Sequence, residues 1–483
     1  MLIYKYSTNE LSLESIVINL KADFAVIGGG SGGVGTALTA ARMCPDKKVV
    51  LVEKNSILGG TSTVCGVNNW EPGIGGMSEL HKEIAERLLD IPEAAFTVRG
   101  SHTPTPKEPW GGYKAMKQCP YGDSLQRSGN PKGGAARFRF EPMAMARVMR
   151  DMLLEAGVTI IAEALLIDVS YAKDTITSVT CSTAHDTLKI EASHFADCTA
   201  DIVLCRMAGC DAAIGEDPSS MFGEEDAPEE ATNKLNGATM SFRLTPCEKG
   251  YRDKVSDWVY NTNAPEWINK KSKAVSYPSF YPNGDIFINM LPTMEGEDYW
   301  WSSHHERIKK AYSRVLVYWE YLQNEYSFYD GFQLKYIFPQ MGVRESYRLL
   351  GRYVLTGNDL RASFLHQPKK DEIIAFGDHP IDVHGKSHKK IQELDSPYGI
   401  PYSSMLSREF DNLIIACRGA SFSHIAGGAC RLSRTMLAMG EAAGAATSMT
   451  GVGVGYGDID LKKLRTRLKI KQTEEMISER WDI

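Results

Sequence analysis

The ten cysteines of this 483-residue chain (Cys44, Cys65, Cys119, Cys181, Cys198, Cys205, Cys210, Cys247, Cys417 and Cys430) nowhere form Cys-x-x-Cys. That absence excludes a zinc ribbon and a thioredoxin-like redox pair, and no metal site is expected. No apolar run approaches the roughly 20 residues of a membrane span. The opening stretch, MLIYKYSTNELSLESIVINLK, alternates and carries charge where a secretory signal has its apolar core. Basic residues are not in excess: 54 Lys and Arg stand against 60 Asp and Glu, a net charge of −6. Neither nucleic acid nor an anionic membrane is therefore an expected partner. Together these absences predict a cytoplasmic protein whose thiols are reduced and mostly fill the core. The chain is long enough for two or three domains.

The most informative stretch is 23–61, DFAVIGGGSGGVGTALTAARMCPDKKVVLVEKNSILGGT. Phe24-Ala25-Val26-Ile27 suits a strand buried on both faces. The glycine-rich turn carries G-x-G-x-x-G at Gly28, Gly30 and Gly33, with Ser31 and Gly32 between them. The first glycine allows the tight turn, the second lets a pyrophosphate approach the backbone, and the third lets helix and strand pack closely. A helix predicted over Gly35 to Met43 points free N–H groups at the phosphates. The strand Val49 to Val52 ends on Glu53, 20 residues after Gly33 (53 − 33), where an acid accepts ribose hydroxyls, with Lys54 beside it. A second glycine pair, Gly59 and Gly60 with Thr61, suits a dinucleotide that continues along the protein.

Further along, Met1–Tyr6 and Ser15–Leu20 read as an edge hairpin. Residues 62–76 are polar and glycine-rich, and Asn68, Asn69, Trp70 and Glu71 are expected to face a substrate. Met77 to Leu89 reads as an amphipathic helix. Residues 91–137 read as an irregular insertion or lid containing Trp110, Tyr113 and Tyr121. Phe140 to Ala156 reads as a helix with proline in its first turn. Val158–Ala164, Ala164–Val169, Thr175–Cys181 and Thr187–Ala192 read as a meander. Strands around Ala238–Leu244, Ala274–Phe280 and Asp285–Met290 suggest a second, mostly β, substrate domain. The aromatics of a long helix, Ser302 to Ser327, belong to its core.

The glycine loop, Glu53 and the LGG-T run resemble the FAD proteins of the glutathione-reductase and fumarate-reductase types. The segment HFADCTAD (194–201) resembles their D-A-T-G-D turn, with Ala200 in the usual glycine position before Asp201. MGVRESYRLLGRYVLT (341–356), DHPIDVH (378–384), PYGIPYSSMLSREFDNLIIACR (397–418) and GASFSHIAGGACRLSRTMLAMGEAAGAATSM (419–449) complete the set. As a set they resemble soluble FAD-dependent oxidoreductases, distant relatives of the succinate dehydrogenase and fumarate reductase flavoproteins. The likeness covers most of the chain apart from the first 20 residues and parts of 91–137 and 216–335. It implies an α/β fold: a Rossmann-type FAD-binding domain, discontinuous in sequence with a parallel sheet, and a second α+β substrate or cap domain. The expected spans are 21–90, 138–215 and 346–455 for the FAD domain, 91–137 for the insertion, 216–345 for the cap and 456–483 for a helical tail. A second G-x-G-x-x-G in strand context is lacking, which argues against a built-in NAD(P)H domain.

For the flavin, Arg418 is expected at a strand end and Gly427-Gly428-Ala429 as a turn offering N–H groups to the ring. The helix Met436 to Met449, with Gly440 and Gly444, can lie close to the nucleotide sheet. His424 is the expected acid or base. Arg344 is a candidate for charge stabilisation, although Glu345 and Arg348 can form a plain ion pair. Arg348 is otherwise a substrate contact, and Arg431 and Arg434 suit a carboxylate or the FAD phosphates. Cys65 and Cys430 are either packing residues or covalent flavin links. Trp70, Trp110, Trp300 and Trp301 can stack on a substrate ring. The expected reaction is hydride transfer between FAD and a small polar organic substrate, such as a sugar or hydroxy acid. The alternatives are a fumarate-reductase-like reductase of an activated C=C bond, and an FAD-bearing electron-transfer or binding subunit. The electron donor or acceptor is unknown from sequence, and a homo-oligomer is left open.

Overall fold

The computed structural model describes residues 17–71, 73–74, 78–99, 117–125, 136–271, 277–289, 293–384, 391–451, 453–481 and 483. Its central sheet begins with β1 (Val17–Ile27), followed by helix α1 (Ser31–Met43) and strand β2 (Val49–Val52). Parallel strands run in the order Thr159–Ile161, β2, β1, Thr187–Asp197 and Leu413–Ile415. The strand Thr187–Asp197 has two neighbours on its outer edge. Its first half takes antiparallel Thr175–Ser182, and its last three residues take Leu413–Ile415. The nucleotide sheet is thus assembled from three distant parts of the sequence.

Strand Val49–Val52 is wholly buried, as an apolar run covered on both faces must be. Helix α1 packs across the helix Ser433–Thr447 through glycine contacts. A Cβ on Gly440 would sit 2.2 Å from the Gly32 carbonyl oxygen, and one on Gly444 would sit 2.5 Å from that of Thr36. Only side-chain-free positions allow this approach.

Three expectations are corrected. Ser15–Leu20 is not part of a separate hairpin: from Val17 the chain is already in β1, because its first half pairs with Thr187–Ala192. Met1–Tyr6 lies outside the described residues. The strand at Thr159–Ile161 extends the parallel sheet beside β2 rather than joining the meander. The insertion is not irregular at its ends. Ala95–Arg99 pairs with Ala136–Phe140, which also pairs with Asn69–Trp70. Trp110 and Tyr113 lie outside the described residues.

A separate antiparallel sheet, Tyr277–Phe280, Ile286–Asn289, Phe242–Pro246 and Phe332–Ile337 in spatial order, carries its own apolar core. The helix His304–Glu325 covers it, started by a capping box between Ser303 and Glu306. Tyr318 and Trp319 are buried in that core, as their helical spacing predicts.

Candidate functional site

The glycine loop separates packing from open space, residue by residue. Gly28 has φ +102°, and a Cβ there would meet the Cys198 carbonyl oxygen at 2.4 Å. A Cβ on Gly33 would lie 1.7 Å from the Gly28 carbonyl oxygen, and one on Gly32 1.8 Å from that of Ala416. A Cβ on Gly30 would meet nothing within 4 Å. Gly30 caps α1 and borders a cavity of about 1200 Å³.

Glu53 closes the far side of this loop. Its carboxylate accepts the Gly29 N–H at 2.6 Å and the Asn55 N–H at 2.9 Å. Gly59 donates its N–H to the Gly29 carbonyl at 2.8 Å, which fixes the second glycine pair against the first. Of the expected cofactor residues, Gly28, Gly30, Ser31, Gly32, Glu53, Lys54, Gly60, Thr61, Ala200, Asp201 and Arg418 line the cavity. Gly33 and Gly59 support it from behind. Sequence reading missed Asn55, Gln340, Met341 and Ser433, which also line it. Asn55 follows Glu53 by two positions and was within reach of the motif. Gln340, which hydrogen-bonds Asn55, carried no local signal.

The turn at 197–201 is built on buried Asp197. It accepts the Thr199 N–H and the Cys205 N–H, each at 2.9 Å, while burial raises its pKa. Ala200 takes φ +66°, the left-handed conformation that glycine adopts freely. Asp201 then receives Arg418 Nη2 at 2.5 Å and Ser346 Oγ at 2.6 Å.

Gly428 and Ala429 do not form a turn. They lie inside a buried helix, His424–Cys430, whose cap is the Ser423 side chain accepting the Ala426 N–H, and neither lines the cavity. Ser423 as a helix cap was the legible signal. His424 also stands apart from this cavity. Its Nδ1 lies 2.8 Å from Glu345 Oε1, and it lines a second cavity instead.

The expected catalytic arginines are drawn to a different cluster. Arg431 lines the cofactor cavity, with Nη2 at 3.2 Å from the Asp382 carbonyl and 3.4 Å from its carboxylate. Its Nε is buried without a hydrogen-bond partner among the described residues, and burial lowers its pKa. Arg344 donates to the Gly237 carbonyl at 2.6 Å and to Thr239 Oγ1 at 2.9 Å. Burial, and then the charge of Arg431, push Arg344 down to about 9. Beside them His384 Nε2 lies 2.8 Å from Asp382 Oδ2, and burial holds the His379 and His384 imidazoles down to about 4.

Other candidates are structural in this geometry. Arg348 is fully buried between Glu345 at 2.5 Å and Asp217 at 2.7 Å, so the ion-pair reading of R-E-S holds. Arg434 pairs with Asp378 at 3.2 Å, and both are buried. Trp70 is a core residue whose ring centroid lies 3.8 Å from that of His81, the planes tilted, beside Phe138 and Phe140. Asn69 turns back to Glu71 at 2.6 Å. Trp300 packs edge-on against Tyr347, and Trp301 is exposed. Cys65 borders the cavity and donates to the Met341 carbonyl at 3.2 Å, and burial pushes its thiol up to about 12. Cys430 is buried, and burial raises its thiol pKa as well. Among the described residues no group of three or more ligating side chains could hold a metal ion, and no helix is long and apolar enough to cross a membrane.

The site fits a dinucleotide on its own geometry. The open space at Gly30 is a cradle that one methyl group would enter, and it faces the N-terminus of α1, where no acidic side chain competes for the phosphates. Several solved structures are similar to this chain at low identity. A geranylgeranyl bacteriochlorophyll reductase-like protein from Thermoplasma acidophilum is 11% identical over 96% of this chain and 84% of its own, with a TM-score of 0.46. The myxobacterial chondrochloren halogenase is 10% identical over 96% and 81%, with a TM-score of 0.45. A flavoprotein/dehydrogenase from Cytophaga hutchinsonii is 14% identical over 96% and 86%, with a TM-score of 0.43. Among curated proteins none matches. The family model described as FAD dependent oxidoreductase matches residues 23–468, and the chain belongs to that family.

Proposed function

We propose that this FAD-dependent oxidoreductase exchanges hydride with a small organic acid of the hydroxy-acid kind, and that Arg431 meets the substrate carboxylate. The observation that carries this reading is the Arg431 guanidinium. It borders the cofactor cavity, yet its Nε has no hydrogen-bond partner among the described residues and its only carboxylate contact is long. A buried guanidinium short of acceptors favours an anion, and arginine matches a carboxylate with two parallel bonds.

Bound FAD supplies the centre that takes or gives the hydride. The chain's own residues hold charge and move the proton. Arg431 orients the carboxylate, and Arg344 adds positive charge beside it. His384 is the base in this reading. Its Nε2 lies 2.8 Å from Asp382 Oδ2 but makes no hydrogen bond among the described residues, and burial keeps the imidazole neutral, so a ring lone pair can take the hydroxyl proton. The division of the chain belongs to the same proposal. Segment 216–345, with its separate apolar core, forms the substrate or cap domain, and 21–90, 138–215 and 346–455 carry FAD and contribute Arg431 and His384.

One observation favours a second reading, reduction of an activated C=C bond. Arg344 is aimed by the Gly237 carbonyl and Thr239 Oγ1 and lies beside the charge of Arg431; that placement suits a proton donor, and burial lowers its pKa. Anaerobic titration separates the two. Hydroxy acids should bleach the oxidised flavin, whereas enoates should restore colour to dithionite-reduced enzyme. In the hydroxy-acid case Arg431→Ala should keep FAD and raise the half-saturating concentration about tenfold or more, the loss of a charge-assisted hydrogen bond. Bleaching by sugars with no dependence on Arg431 would sink the proposal.

A further inference from the structure

We propose that Gln340 shares the adenosine ribose of FAD with Glu53, so that the cofactor is gripped from the second sheet as well as from the nucleotide sheet. The Glu53 carboxylate is buried and nearly saturated. Its Oε2 accepts the Gly29 N–H at 2.6 Å, and its Oε1 accepts the Asn55 N–H at 2.9 Å and Asn55 Nδ2 at 2.5 Å. A carboxylate offers about four acceptor positions, so these donors leave about one. The adenosine ribose brings two hydroxyl donors, at 2′ and 3′. One of them needs another acceptor.

The second observation is a relay of amides whose direction the carboxylate fixes. Glu53 only accepts, so Asn55 turns Nδ2 toward it and keeps Oδ1 as an acceptor. Gln340 donates Nε2 to that Oδ1. The relay therefore ends on Gln340 Oε1, an acceptor with no hydrogen-bond partner among the described residues. Glu53, Asn55 and Gln340 all border the cofactor cavity. A carbonyl oxygen in that position suits a hydroxyl and repels a phosphate. Gln340 lies three positions past the strand Phe332–Ile337 of the separate antiparallel sheet (340 − 337), which is how that sheet reaches the cofactor.

The same end of the cavity suits a base. Ala164 donates its N–H to the Glu53 carbonyl at 3.0 Å, and Glu163 donates to that of Asn55 at 3.2 Å, which sets Leu165 beside the pair. Leu165 is 55% exposed and borders the cavity, an apolar surface that an adenine ring would cover.

Calorimetric titration of the FAD-free full chain with FAD and with its 2′-deoxyadenosine and 3′-deoxyadenosine analogues tests the assignment. The wild type should bind both analogues more weakly than FAD, about three- to tenfold where the lost acceptor is the Gln340 amide and more where it is the Glu53 carboxylate. Gln340→Met keeps the length of the side chain and removes the amide. It should weaken FAD about three- to tenfold, yet bind one of the analogues as tightly as the wild type does, the one that lacks the hydroxyl Gln340 would accept. Wild-type protein that binds either analogue as tightly as FAD would overturn the proposal, and that measurement stands even where Gln340→Met misfolds. So would a Gln340→Met protein that binds FAD as tightly as the wild type, or that weakens FAD and both analogues by one common factor, the mark of a loosened second sheet.

Discussion

Gly30→Ala isolates the cradle from the fold. Gly30 has φ −69° and ψ −174°, a conformation alanine adopts without strain, and the added methyl would touch no protein atom within 4 Å. Removing a glycine stabilises by about 0.4–1 kcal/mol through the unfolded chain. Alanine is a poorer helix cap than glycine by a similar amount, roughly 0.5–1 kcal/mol. The two effects offset, so the urea midpoint of the FAD-free protein should hardly move. FAD should respond differently. The methyl would occupy the space in which the pyrophosphate approaches the backbone, costing one or two charge-assisted hydrogen bonds at about 1.5–3 kcal/mol each. The dissociation constant, read from quenching of FAD fluorescence, should rise from about tenfold to well over a hundredfold. Gly33→Ala is the contrast: its methyl would lie 1.7 Å from the Gly28 carbonyl oxygen, so the fold itself should fail. A Gly30→Ala protein that binds FAD as tightly as the wild type would refute the placement of the pyrophosphate over Gly30.

Glu53→Ala should weaken FAD by about 1–3 kcal/mol in the same fluorescence assay, and it should also destabilise the FAD-free protein because Gly29 and Asn55 lose their acceptor. Boiling should release the flavin into the supernatant, since the Cys65 thiol is pushed up to about 12 and unreactive; yellow colour that stays with the pellet and is lost in Cys65→Ala would contradict this. Stability should fall with pH below about 6.5, the ordinary histidine value. His379 and His384 are held down to about 4 in the fold, so the unfolded chain takes up protons first. The loss should run between about 6.5 and about 4 and level off below that. The double variant His379→Gln, His384→Gln should flatten the urea midpoint across that window, and an unchanged slope would disprove the assignment.

The sequence carried the nucleotide half of the fold because that half depends on small residues at fixed spacing. Gly28, Gly30 and Gly33 announce the turn and the open space at the N-terminus of α1, Glu53 announces the acid that holds that turn, and Gly440 and Gly444 announce a close helix contact. What stayed hidden depends on distant partners. The first half of β1 is a strand because 187–192 lies beside it, and nothing local at 17–22 says so. Gly427 and Gly428 read as a turn by composition, yet the Ser423 cap and burial on all sides hold them in a helix. His424 sits one link from the cofactor in sequence, but its ring is claimed by Glu345, 79 positions away. The left-handed Ala200 was visible only as a departure from a glycine pattern.

The crossing of α1 by the helix Ser433–Thr447 also sets a schedule for biosynthesis. Gly32 and Gly440, which share that contact, are 408 positions apart (440 − 32). The ribosome therefore delivers the glycine loop long before the helix that backs it and before the strand Leu413–Ile415 that completes the sheet. Until those last pieces emerge, α1 has one apolar flank open to water, and Arg418 and Arg431 are missing from the cavity wall. Flavin capture is consequently a late event for the nascent chain. A polypeptide halted before residue 433 should circulate without colour and with exposed alanine-rich helix surface, a natural substrate for chaperones.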